Sequence, residues 1–427
     1  MKLIEDIYNK FLQNANLNTS YPLSPLDWAK YRVLEKLHFT KVEQLSFYIH
    51  IPFCQNLCSF CEYTRMKCPN EEAQQHYLNI LDSDIQHFLK EHPHIVLRGF
   101  DIGGGTPTVL SDDNFARLID IYLKTVSSVQ IAPDFEPSIE GTFQTLTENK
   151  LRIISNAGIK RLSLGIQSTN SKVLFENQRT GETAGMIEKW IKTAKSVGIQ
   201  KINLDLMYGL KGQTSKTIET DIATLAPLNV EQITLYELRT NMLNNVNCMT
   251  KENLFQFYNA LYNGLTSLKY QARFGQNTFS VNKEDFGVSS YLRNRMLNGM
   301  SYKGFGLSAQ SMSKYGISYN VGKNKSDLSQ YLNLETYNEE YTYHLPSREL
   351  LSKYIAISAY SGQFSLKTAS EILGKECIHY FRREIDFCIE NELMTLENDT
   401  LFITRKGFKN YGAVFFLFCK SNNNEEK

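Results

Sequence analysis

The chain has no excess of charge of either sign: 46 Lys and Arg stand against 45 Asp and Glu, a formal net charge of +1 over 427 residues. No global field draws it to nucleic acid or to an anionic membrane, so specificity has to come from a local site. It has no long apolar run either. The longest one late in the chain, "AVFFLFC", falls far short of the roughly 20 residues that a membrane-crossing helix needs. The N-terminal "MKLIEDIYNKFLQNANLN" places Glu5 and Asp6 early and has no apolar centre, which argues against a secretory signal. A cytoplasmic location is expected. Thiols stay reduced there, so clustered cysteines point to a metal or to catalysis rather than to disulfides.

What is present is an uneven distribution of eight cysteines. Cys248, Cys377, Cys388 and Cys419 are scattered and read as ordinary buried thiols. Cys54, Cys58 and Cys61 instead form a C-x3-C-x2-C group in "CQNLCSFCEY", directly after the apolar run "SFYIHIPF". Thiolates select soft metals: zinc, copper(I) or iron–sulfur clusters. Structural zinc wants four ligands, which would require a further partner such as Cys68 or His50. A four-iron cluster offers a second solution, with three irons held by cysteine and one left open. A closed cluster using Cys68 is the third.

The chain is longer than the roughly 250–300 residues at which single cores stop growing, so more than one domain is expected. Between Ser46 and about Leu238, short apolar segments alternate with helical patterns. "SFYIHIPF" precedes a helix with Tyr77, Leu81, Ile85 and Phe88 on one face; "LRGFDIGG" precedes a helix opening near Ser111. "DFEPSIE", "KRLSLGIQS", "QKINLDLMYG" and "EQITLYEL" follow, separated by helix-like stretches such as Gly185 to Val197. Six such alternations predict parallel strands with helical crossovers. The fold class expected is α/β, a partial (βα)6 TIM-like barrel. Within its strands Leu162, Leu164 and Ile166 oppose Ser163, Gly165 and Gln167, while Ile202, Leu204 and Leu206 oppose Asn203 and Asp205. A filled barrel carries branched apolar residues inside, so a polar face there reads as a lining for a polar ligand.

Residues from Tyr270 to about Gly322 read as irregular and rich in Tyr, Ser, Asn and Gly. The final part predicts helices at Ser347 to Ala359, in "SLKTASEILG" up to Gly374, and at Ile378 to Asn391, then a hairpin turning at Asn398-Asp399. That order is winged-helix-like, an α+β module. It has no strong basic stripe, so it reads as a packing module rather than a DNA reader. The organisation expected is a helical extension over 1–45, a barrel with a substrate-covering segment over 46–322, and the winged-helix-like module over 323–427.

With the cysteine loop and these phrases together, the sequence resembles the radical S-adenosylmethionine (SAM) superfamily. "YIHIPFC", "FDIGGGTPT", "RLSLGIQS", "INLDLMYGL" and "YKGFGLSAQS" resemble the group that contains oxygen-independent coproporphyrinogen III oxidase and the haem chaperone similar to it (HemN/HemW-like), from about Phe47 to Ser311. The resemblance implies a 4Fe–4S cluster on Cys54, Cys58 and Cys61, with SAM chelating the open iron. Reductive cleavage of SAM would give a 5′-deoxyadenosyl radical that acts on a bulky, planar, tetrapyrrole-type substrate. It further implies an electron donor such as flavodoxin or ferredoxin, no nucleic acid and no membrane span. Carried onto this chain, the family's SAM contacts fall on Tyr48, Phe60, Gly104, Gly105, Thr106, Glu140, Gln167, Arg179 and Asp205. His50 beside Tyr48 reads as a core histidine, and Glu62, Tyr63 and Arg65 are expected to face the substrate.

Three departures bear on the outcome. Glu140 is followed by "GTF" rather than the family's Asp-Pro. Tyr63 stands where the oxidases have a further cysteine, and "GVSSYLR" keeps only Tyr291 of the chaperones' His-Asn-x-x-Tyr phrase. The resemblance therefore leaves open an oxidase-like enzyme, a methyltransferase using a second SAM beside the first, and a non-catalytic haem carrier.

Overall fold

The computed structural model describes residues 2–13, 21–22, 25–40, 43–238, 249–322, 328–333 and 339–420. Cys248 lies outside them. Six parallel strands form the barrel: β1 (Gln44–Ile51), β2 (Val96–Gly104), β3 (Ser138–Gly141), β4 (Arg161–Gln167), β5 (Lys201–Tyr208) and β6 (Gln232–Glu237). They lie side by side in chain order. The crossovers are α1 (Glu71–Glu91), α2 (Asp112–Ser127), α3 (Glu148–Asn156), α4 (Ala184–Ser196) and α5 (Ser215–Leu225), and α6 (Lys251–Ser267) follows β6. Each starts where a short polar side chain satisfies a free amide of the first turn: Asn70, Ser111, Thr147, Thr183, Thr214 and Thr250. The expected α/β partial barrel is therefore the architecture observed.

Strand alternation does what pleating requires. Phe47, Ile49, Ile51, Leu162, Leu164, Ile202, Leu204 and Leu206 are all buried against the helical layer. The opposite face is a polar ladder. Thr234 donates to the Asn203 side chain at 3.0 Å, Asn203 Nδ2 donates to Ser163 Oγ at 2.9 Å and to Asp205 Oδ1 at 2.7 Å, and Ser163 Oγ donates to Asp205 Oδ2 at 3.1 Å. Polar groups inside the wall thus satisfy each other across three strands.

The stretch read as irregular is more ordered than its composition suggests. After β7 (Thr278–Ser280) and the short helix α7 (Ser290–Met296), β8 (Tyr302–Phe305) runs parallel to β1 as a seventh parallel strand. β9 (Gln310–Ser313), β10 (Gly316–Asn320) and β11 (Glu339–His344) continue the sheet antiparallel. Strands of four to six residues, one of them containing Gly304, carry too little periodicity to be seen in sequence. The expected helical extension also ends in the sheet, where Arg32–Val33 pairs with β11.

Beyond it, α8 (Ser347–Ser358) and α9 (Leu366–Leu373) pack with β12 (Gln363–Ser365), β13 (Met394–Glu397) and β14 (Thr400–Ile403), whose order is β12-β14-β13. The hairpin turns through Asn398 and Asp399, both left-handed. The helix expected at 378–391 is two, Cys377–Tyr380 and Arg382–Glu390, interrupted where Phe381 turns its ring onto Phe418 at 5.3 Å. This module grips the barrel: Tyr354 donates to the Leu297 carbonyl at 3.0 Å, and the Ser358 hydroxyl reaches the Met296 carbonyl at 2.6 Å. No helix among the described residues is long and apolar enough to cross a membrane.

Candidate functional site

β1 ends at Ile51 and the chain turns into the cysteine loop. Phe53–Cys54 pairs in parallel with Met66–Lys67, closing the loop at its neck. Inside, Arg65 Nη2 donates to the Cys58 carbonyl at 2.6 Å, and the Ser59 amide and hydroxyl both donate to the Asn177 carbonyl, at 3.2 and 3.0 Å. Arg65 thus fastens the loop through Nη2, while its buried Nε has no acceptor among the described residues. Cys54 and Cys58 are buried, and Cys61 and Phe60 are half-buried. Thr106 Oγ1 lies 3.7 Å from Cys54 Sγ, and Arg179 Nη1 lies 3.5 Å from Cys58 Sγ. Burial pushes the Cys54 thiol up to about 11 and that of Cys61 upward, while Thr106 opposes the shift at Cys54 and Arg65 opposes it at both. Thiols become ligands by releasing protons, and two nearby guanidiniums favour the thiolate.

The other partners considered for zinc are engaged elsewhere. His50 is buried and its Nε2 lies 2.9 Å from the Thr64 carbonyl, which can only accept, so Nε2 carries the proton. Burial lowers this imidazole to about 4, so it is neutral. Cys68 accepts from Gln74 Nε2 at 3.4 Å and lies 3.9 Å from the Val109 carbonyl. Among the described residues no three His, Cys, Asp or Glu converge as they would on a single ion. Ligands of a four-iron cluster bind separate irons and need not meet at one point. A set of three thiols fits that group.

Around this loop the strand ends bring the remaining carried-over residues to one rim. Gly104 has a φ of +115°, and a Cβ there would sit 2.5 Å from the His50 ring, so only glycine fits. The amides of Gly104, Gly105 and Thr106 already donate, to Glu140 Oε2 at 3.0 Å, the Ile51 carbonyl at 2.8 Å and the Phe53 carbonyl at 2.8 Å. Glu140 is surrounded by protein yet exposed on the interior face; burial raises its carboxyl to about 7, with the Gly104 amide pulling it down. Asp205 stands opposite Gly165 in the β4–β5 register, and burial raises it. Arg179 Nη2 donates to the Gly165 carbonyl at 2.5 Å. Gln167 sits in a left-handed bulge, its amide folded back beside Gly165. Tyr48 completes the rim, 3.4 Å from His50 Nδ1.

The wall formed by β1, β8 and α7 joins Tyr48 and Tyr291 to Asp101, Ser289 and Arg295, which sequence reading passed over. Tyr291 stacks on Tyr48 with centroids 5.6 Å apart at 22°. That approach needs a glycine at 99, where a Cβ would lie 2.4 Å from the Tyr291 amide. Ser289 caps α7 and donates to Asp101 Oδ2 at 2.6 Å, and burial raises the Asp101 carboxyl to about 7. Arg295 lies one helical turn after Tyr291, with its guanidinium 4.8 Å from the Tyr302 ring centre. The four-residue spacing from Tyr291 was the available signal.

Residues 48–225 match the model of the radical SAM superfamily. The chain is 32% identical over 193 residues to the Bacillus subtilis protein named heme chaperone HemW, covering 45% of this chain and 50% of that one. It is 33% identical over 203 residues to an Escherichia coli O157:H7 anaerobilin synthase (46% and 43% covered) and 27% identical over 235 residues to the Escherichia coli oxygen-independent coproporphyrinogen III oxidase (54% and 50% covered). The match thus spans about half the length of these relatives. Over the whole fold, the solved structure of the radical SAM enzyme coproporphyrinogen III oxidase (HemN) from Escherichia coli superposes with a TM-score of 0.73 at 20% identity, covering 89% of this chain and 91% of that one. A cysteine loop at the end of the first strand, a seven-strand parallel wall and these relatives agree: residues 48–225 carry a radical SAM domain, and the chain is similar to HemN/HemW-like proteins.

Proposed function

We propose that the chain is an enzyme in which Cys54, Cys58 and Cys61 hold a 4Fe–4S cluster by three of its irons and SAM binds at the fourth. When bound, the cluster and SAM supply a one-electron cleavage of the sulfonium and a carbon radical for the substrate. The chain's own residues position and shield. Arg179 takes the SAM carboxylate, as a charge-assisted pair. The strand end at Gly104, Gly105 and Thr106 takes the ammonium, with Glu140 beside it. Asp205 and Gln167 accept from the ribose hydroxyls, and Tyr48 and Phe60 flank the adenosine. The substrate is bulky and planar, and the electron comes from a small donor such as flavodoxin or ferredoxin.

What supports this reading most is the tethering of the loop, since Arg65, Ser59 and the 53–54/66–67 pairing fix three thiols at a rim shared with Glu140, Arg179 and Asp205. To test it, the protein is reconstituted with iron and sulfide under anaerobic conditions, reduced, and assayed for 5′-deoxyadenosine. Product that depends on each of the three cysteines is expected; zinc in place of iron with no nucleoside formed would overturn the reading.

The relatives named as heme chaperones favour a second reading, a haem carrier without catalysis. It predicts a saturable Soret shift on titration with haemin and no nucleoside product.

A further inference from the structure

The tyrosines that border the interior around the cysteine loop differ in what their phenols face. Tyr291 and Tyr302 are buried beside Arg295. Tyr236 is half-buried in β6, and Tyr48, half-buried in β1, has its hydroxyl 3.4 Å from His50 Nδ1. His50 carries its proton on Nε2, so Nδ1 is a lone pair that takes the Tyr48 hydrogen. Tyr63 is 60% exposed on the loop itself. It lies within electrostatic reach of Tyr48 on β1, Tyr236 on β6 and Arg295 on α7, so its phenol stands over the mouth of the barrel rather than on the outer surface.

The backbone under that phenol is fixed on both sides. The Tyr63 amide hydrogen-bonds Cys61 and favours its thiolate. The next residue is pinned twice: His50 Nε2 donates to the Thr64 carbonyl at 2.9 Å, and Thr64 Oγ1 donates to Ser308 Oγ at 2.8 Å. Arg65 then fastens the loop at the Cys58 carbonyl. A large aromatic side chain left exposed on so rigid a main chain is positioned for contact with what enters the barrel.

Tyr63 follows Phe60 by three residues and Cys61 by two. In the proposed function Cys61 holds the cluster and Phe60 flanks the adenosine, so the carbon radical forms beside this phenol. A phenolic O–H bond is weaker than an aliphatic C–H bond, and hydrogen therefore passes downhill from tyrosine to a carbon radical. Cysteine shares this property.

We infer that Tyr63 is the hydrogen-atom donor that ends the radical reaction. Its O–H bond breaks, a C–H bond forms at the carbon radical, and a neutral phenoxyl remains. One electron from the small donor of the proposed function and one proton from water restore the phenol. Arg295 aids that return, because a cation within reach favours the phenolate through which the electron arrives. The reaction class is then reductive: the substrate leaves with a new C–H bond at the radical carbon instead of losing a further electron. This deepens the proposed function and rests on its placing of the cluster and SAM at this rim.

The test needs no substrate. The reconstituted protein is reduced with SAM in deuterium oxide, and the 5′-deoxyadenosine is analysed by mass. Wild-type product is expected to carry a solvent deuterium, Tyr63→Phe product to lose it, and Tyr63→Cys, whose S–H also exchanges, to regain it. In the cluster-free protein, tetranitromethane should nitrate Tyr63 ahead of Tyr48, Tyr236 and Tyr291, as peptide mass mapping will read. Unlabelled wild-type product, equal label in Tyr63→Phe, or nitration of Tyr48 before Tyr63 would overturn the inference and leave SAM cleavage standing. A wild type that makes no 5′-deoxyadenosine would sink the enzymatic reading and the inference with it.

Discussion

The two walls of the barrel interior are built differently. On the β2–β5 side the polar groups are closed upon each other: Glu140 meets the Gly104 amide, Asp205 takes Ser163 and Asn203, and Arg179 takes Gly165 and Cys58. On the β1–β8 side the shell is aromatic, with Tyr291 stacked on Tyr48 and set edge-on to Tyr302, and Arg295 contacts only the Tyr291 hydroxyl and Gln310 by hydrogen bond. The first wall comes from strand ends that follow each other along the chain. The second joins residue 48 to residues near 300 and depends on the C-terminal module to hold α7. The lesson is that neighbouring strand ends build a wall of mutual hydrogen bonds, whereas a wall assembled from distant parts of the chain is held by ring packing.

The largest break in this comparison comes from the loop. Cys58→Ala is expected to abolish the iron–sulfur absorbance and reduce 5′-deoxyadenosine to background, while far-ultraviolet circular dichroism stays that of the wild type.

Next is a test of burial behind the second wall. Asp84 on α1 accepts from Tyr331 at 3.3 Å, and burial raises its carboxyl from 3.8 to about 7. A folded value above the unfolded one means that the folded state holds the proton more tightly. The contribution is therefore full below about pH 4 and is lost as pH rises through about 7. Urea unfolding of the apoprotein should show wild type losing roughly 2–4 kcal/mol over that window relative to Asp84→Asn.

On the first wall, Glu140 lies near its midpoint at neutral pH. SAM binding by calorimetry should tighten between pH 6 and 8 as the carboxyl ionises, and Glu140→Gln should flatten that profile and weaken binding at pH 8 by roughly tenfold. The smallest effect is Tyr354→Phe, which leaves the Leu297 carbonyl and the Ser365 amide without their partner. It should cost about 1–2 kcal/mol in denaturant unfolding.

The same contrast explains what could be read in advance. The barrel strands announced themselves because Leu162, Leu164 and Ile166 alternate with polar residues, and their helices open on visible caps. The cysteine loop was legible because three soft ligands at fixed spacing have few uses. β8 to β11 were not, since two of those strands are four residues long and their pairing is set by partners far away in sequence. Arg65 and Arg295 look alike in the text; one reaches the Cys58 carbonyl and the other the Tyr291 hydroxyl and Gln310, which only tertiary contacts decide.

The central claim is an iron that the protein leaves for SAM, and electron paramagnetic resonance of the reduced, oxygen-protected protein addresses it most directly. A cluster signal that shifts on addition of SAM, and that serves as electron source for its cleavage, is the predicted result. A spectrum indifferent to SAM, with every iron already held by side chains, would contradict it.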